Sequence, residues 1–285
     1  MPPTNTKIFA GLFWIALTGA IFGQDPPASD AESSGDVPLD LSKFPGMLID
    51  DVVVPVPSEI FSMMGKLGEE SFGGEIVSRP SLSSRNRSRL ALAFGVAVAD
   101  GFVAVQAQDR KAIEEAGRVV LKLSETLGLR DKVLKHTQKI IDAADGGDWD
   151  GVRKELDRTQ QTVRDTMEEM RDGDLANCVS IGGWIRGTEA MSSLITKSYK
   201  ADQAELLNQP ELAKHFSTLI GKMGAEVRGV DQVLAADACL GAIAGLMGEE
   251  RKMIERESIA KIHSASKTFT DAVFAGATGG GEGQP

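Results

Sequence analysis

The residues with the most chemical potential in this chain are charges set where charges are costly. Asp100 sits within ALAFGVAVADGFVAVQA, Arg186 and Glu189 within SIGGWIRGTEAMSSLI, and Asp237 within VLAADACLGAIAGLMG. A charge buried alone in such apolar surroundings costs several kcal/mol, so each group must find a counter-ion, reach water or change its protonation. Two readings follow. In one, Asp100, Arg186, Glu189 and Asp237 form an ion-pair network that fixes helix register. In the other, they form a polar cluster at the bottom of a pocket, tuned for a ligand or for proton transfer. If Asp100 and Asp237 faced each other without a cation, one would hold a proton, as a general acid requires. Both readings stay open from the residues alone.

A second constellation is basic. Arg79, Arg85, Arg87 and Arg89 are interleaved with serines in SRPSLSSRNRSRL. Such a cluster can clamp a carboxylate or another anionic partner. Its plainer reading is a solvated helix start, but cations there oppose the helix dipole. That conflict predicts an acidic partner, and the acidic leader of the same chain is one candidate.

Other chemistry is poorly supplied. His136, His215 and His263 stand in no ligand spacing with each other or with a cysteine, so no metal site is expected. The chain has no G-x-S-x-G elbow, Walker loop or C-x-x-C-H haem attachment, and no G-x-G-x-x-G that follows a strand. No cofactor is expected, and an enzyme is the less favoured class. Cys178 and Cys239 are an even pair in a chain read as exported, where a disulfide persists. A bridge would close a loop of about 60 residues. Two separate buried thiols are slightly favoured, because nothing in the sequence fixes the register of the two helices.

These groups must be positioned by helices. The chain has 285 residues, 42% of them hydrophobic, with 31 Lys+Arg against 41 Asp+Glu and a net charge of −10. That composition suits one or two packed domains and argues against nucleic-acid binding, which needs clustered cations. Aromatic residues make up only 5%, too few for base-stacking or sugar-stacking surfaces. From residue 84 onward the apolar residues recur at helical spacing. One stripe joins Val152, Leu156, Thr159, Val163, Met167 and Met170. Others join Ile113, Ala116, Val120, Leu123 and Leu127; Val133, Thr137, Ile140 and Ala144; and Leu212, Phe216, Leu219 and Met223. Gly128, Gly146, Gly147, Gly173 and Gly224 are expected stops, and Asp148 and Asp174 expected caps.

Three helices, Leu90 to Ala107, Leu175 to Ile195 and Val233 to Met247, are apolar nearly all round and are predicted to lie at the centre. Their glycines, Gly95, Gly182, Gly183, Gly241 and Gly245 among them, would permit close backbone approach. Membrane spans are not expected, because charges interrupt all three segments. The phrase GDWDGVRKELDR resembles a tetratricopeptide-type helix opening, but no copy follows at that family's period of about 34 residues. The predicted fold is all-α, an irregular bundle or array of about seven to nine helices.

The N-terminal part differs. Residues 1–23 read as a signal peptide, with Lys7 followed by an apolar run to Phe22. Residues 24–40 form an acidic, disordered leader, and 41–83 an extended Pro/Val-rich strap with a short helix and a loop. Within that strap Ser58 caps the short helix and Gly68 ends it. The helical domain is placed at 84–275 and a disordered tail at 276–285. The expected location is the bacterial periplasm or cell exterior. The expected role is an exported, non-enzymatic helical scaffold or binding module of the envelope, with an unknown protein or small-molecule partner. The alternative is a ligand-binding or catalytic helical protein using the buried polar cluster. A cavity of a few hundred Å3 touching these side chains would favour the alternative, and solid packing with closed salt bridges the scaffold.

Overall fold

The computed structural model describes residues 46–49, 52–55, 69–248 and 253–275. The signal peptide, the acidic leader, the helix expected after Ser58 and the C-terminal tail lie outside them. Two units are distinguished. The first carries a hairpin in which β1 (Gly46–Ile49) pairs antiparallel with β2 (Val52–Pro55), Leu48 opposite Val53. The backbone there is extended and pairs with itself.

The second unit is all-helical. It contains α1 (Arg87–Gln106), α2 (Arg110–Leu127), α3 (Arg130–Asp145), α4 (Trp149–Glu169), α5 (Gly173–Lys197), α6 (Ala201–Leu206), α7 (Pro210–Lys222), α9 (Asp231–Met247) and α10 (Arg256–Phe274), with a single turn, α8 (Ala225–Arg228), between α7 and α9. The described residues thus hold nine helices of more than one turn, inside the predicted range. Residues 69–83 are not all loop, since Glu69–Glu75 winds into a 3-10 segment docked on α1 and α5.

Local signals account for most boundaries. Asn86 caps α1 by accepting the Arg89 amide at 2.9 Å, and Asp109 caps α2 through the Ala112 amide at 3.0 Å. Asp148 caps α4 through Gly151, as predicted. Asp174 is a correction: it lies in the first turn of α5, and its carboxylate accepts the Gly224 amide instead. Gly128 ends α2 at φ +77°, a left-handed conformation that side chains resist.

α1 is the centre. It packs closely along α5, with α2 on another side, and α5 continues onto α10. Small residues set the α1–α5 spacing: a Cβ added at Gly95 would collide with the Val179 carbonyl, and one at Gly182 with that of Leu92. Among the described residues only α1 is long and apolar enough to cross a membrane, and nearly all of it is buried inside the protein. Phe94, Phe102, Ile181, Ile185, Leu240 and Ile243 are all sealed from solvent, as expected.

α9 departs from expectation. It packs one face chiefly on α7 and α10, with lesser contact to α1 and α5, and Leu234 on its outer face is 51% exposed. A Cβ added at Gly241 or Gly245 would meet nothing within 4 Å, so neither glycine mediates a close helix contact. Alanine and glycine make this outer face look apolar in sequence while exposing little surface per residue.

Candidate functional site

Asp100 arrives on α1 and Arg186 and Glu189 on α5, the two most intimately packed helices. Arg186 is 1% exposed, and its Nε donates to Asp100 Oδ1 at 2.6 Å. Its NH1 lies 3.6 Å from Glu189 Oε2, and its NH2 donates to the Glu75 carbonyl at 2.6 Å. Burial works against the Arg186 charge, but Asp100 and Glu189 beside it outweigh that, and its pKa rises above the ordinary arginine value. Glu189 also accepts from Thr270 Oγ1 on α10 at 2.8 Å. The sequence-predicted cluster therefore exists for three of its four members. Asp237 is the correction. On half-exposed α9 it is only partly buried and joins none of these groups.

Two further residues join the network. Arg79, from the loop before α1, donates through Nε to Asp100 Oδ2 at 2.8 Å, so that carboxylate receives two guanidiniums. Glu75, at the end of the 3-10 segment, is buried; it accepts from Ser193 Oγ at 2.8 Å and from Lys197 Nζ. Arg79, Arg186 and Lys197 thus balance Asp100, Glu189 and Glu75. These six charges balance, which suits holding α1, α5 and the 3-10 segment in register.

The other arginines are also spoken for, with one exception. Arg79 additionally approaches Asp271 at 3.8 Å and lies over the Phe274 ring at 5.4 Å. Arg87 grips Asp172 through both its NH groups, at 2.6 and 3.2 Å. Arg89 donates to the carbonyls of Val273, at 2.9 Å, and Ala275. These are the last carbonyls of α10, where a cation is favourable, so the conflict with the α1 dipole is answered by a neighbouring helix end. Arg85 is exposed and meets no acidic partner among the described residues.

An open space touches this network. A cleft of about 380 Å3 lies between the 77–82 loop, α1 and α2, and the Arg79–Asp100 pair forms part of its lining. Leu82, Ala97, Ala116, Val119 and Leu123 supply apolar walls, and Ser78 and Ser81 hydroxyls. Glu115, Arg118 and Lys122 of α2 complete the lining. Arg186 and Glu189 do not reach it.

Elsewhere, His136 of α3 bridges two residues of α4, with Nδ1 2.7 Å from Glu155 Oε1 and Nε2 3.0 Å from Thr162 Oγ1. The order carboxylate, imidazole, hydroxyl resembles an activated nucleophile. Thr162, however, lies in the middle of α4, where backbone amides are engaged by the helix and none can serve an oxyanion. Glu155 also meets Lys139 and Arg158, which makes it an interhelical tie. His263 Nδ1 lies 3.1 Å from the Glu189 carbonyl. Among the described residues no group of three His, Cys, Asp or Glu could hold a metal ion. Cys178 and Cys239 are both buried free thiols. Compared with family models, curated proteins and solved structures, the chain matches none.

Proposed function

We propose that the chain is an exported, non-enzymatic helical binding module of the bacterial envelope, and that the cleft beside Arg79 and Asp100 is its working surface. The observation that carries this reading is the combination of an open cleft of about 380 Å3 with a floor whose charges are already neutralised. That volume falls within the usual range for ligand sites, about 300–1,000 Å3. Asp100 is already engaged by Arg79 and Arg186, so the floor offers no unpaired side chain to a substrate and favours binding over catalysis. The signal-peptide pattern of residues 1–23 supports export, and the net charge of −10 supports a partner other than nucleic acid.

Two measurements test this. Terminal sequencing of the protein recovered from its native host should give a mature chain beginning near Gln24; a start at Met1 would remove the export reading. A fragment screen by protein-observed NMR should give hits that shift amides of Ser78 to Leu82 and of Glu115 to Leu123. Hits confined to the exposed face of α9, around Leu234, would instead support a scaffold that docks another protein there.

A further inference from the structure

Resting on that reading, we infer that the cleft takes a small amphiphilic monocarboxylate, an apolar body with one anionic end. The size follows from the volume. The cleft of about 380 Å3 lies at the small end of the roughly 300–1,000 Å3 range of ligand sites, which suits a small amphiphile such as decanoate.

The class follows from how polarity is distributed. Ala97, Val119 and Leu123 present an apolar wall, which favours a ligand with an apolar part. At the floor, Arg79 and Asp100 are spent on each other and on Arg186. The charges still facing the opening are therefore Arg118, Lys122 and Glu115, one net positive charge in a chain of net −10. Arg118 and Lys122 are 66% and 62% exposed. Arg118 is only loosely held, 3.9 Å from Glu115, and Lys122 donates to Glu125 at 3.1 Å in a solvent-exposed pair. Exposed pairs of this kind contribute little, so both cations can turn to an incoming carboxylate. A cationic amphiphile would meet them with repulsion. A polyanion such as a nucleotide would bring more negative charge than the rim can balance.

The experiment is an amide-detected NMR titration of the whole mature chain with decanoate, 1-decanol and decyltrimethylammonium, each below its micelle concentration. Decanoate should shift residues 77–82 and 115–123 and bind about tenfold more tightly than the other two. The double substitution Arg118→Ala, Lys122→Ala lies on the surface and should weaken decanoate about tenfold while leaving decanol unchanged. Ala116→Trp should block all three by filling the cleft. Equal binding of the three probes in the cleft would overturn the carboxylate class and leave the cleft as the working surface. No shift at these residues with any probe, or shifts elsewhere only, would overturn both.

Discussion

Arg186 Nε stands 2.6 Å from Asp100 Oδ1 at the centre of the helical body, joining α5 to α1 where both side chains are buried. The two helices already interlock through glycines, so the pair adds direction to a contact that packing makes close. Arg186 also holds the Glu75 carbonyl, and the 3-10 segment is thereby fixed over the helix pair. A charge pair so placed is costly to break.

Arg186→Met leaves Glu189 with only Thr270 and leaves Asp100 dependent on Arg79. The expected loss is about 3–5 kcal/mol, because removing one partner strands buried charge. Urea denaturation measures it, and a loss below about 1 kcal/mol would show the pair to be far better hydrated than the structure has it.

Glycine-to-alanine changes should differ in sign by position. Gly95→Ala and Gly182→Ala drive a methyl into a facing carbonyl and should destabilise by about 1–3 kcal/mol or more. Gly241→Ala and Gly245→Ala meet open space within α9 and should stabilise by about 0.5–1 kcal/mol. Thermal melting of the four variants separates the two groups; a uniform sign would refute the packing roles assigned to α1, α5 and α9.

Stability should fall on acidification partly through Glu155. Burial alone would raise its pKa, but hydrogen bonds from His136, Arg158 and Lys139 outweigh that and hold the carboxyl below its usual range. A depressed folded value means the unfolded chain binds the proton first. The contribution is therefore full above about pH 4.3 and is lost as pH drops through the folded value. Glu155→Gln should cost about 1–3 kcal/mol near neutrality, and its difference from the parent should shrink in denaturation curves taken below about pH 4.

The two cysteines should be unreactive in the native state. Burial pushes both thiols up to about 12, with Asp174 adding to the effect at Cys178 and Glu189 at Cys239. Intact mass after alkylation of the denatured, unreduced protein should show two added groups. None would show a disulfide and contradict the separate thiols seen here.

The helical character was legible because the 3.6-residue stripes are long and capped: Val152, Leu156, Val163 and Met167 bury one face of α4 as their spacing predicts. The centrality of α9 was misread because hydropathy scores alanine and glycine as apolar even where they carry little area to bury. Asp237 was misplaced with it. The join of Asp100 to Arg186 and Glu189 was readable as a need for counter-ions, but Glu75 gave no signal, since it lies in a Ser- and Gly-rich stretch without periodicity. Arg79 gave an indirect one: the basic cluster before α1 demanded acceptors, and they proved to be Asp100, Asp172 and the end of α10. The cleft itself depends on how the 77–82 loop lies across α1 and α2, which no local pattern encodes.

A crystal structure of the protein grown with saturating decanoate is the decisive measurement. Ligand density should run along Ala97, Val119 and Leu123, with the carboxylate turned toward Arg118 and Lys122. An empty cleft at saturation, or density seated instead on the outer face of α9, would contradict that placement.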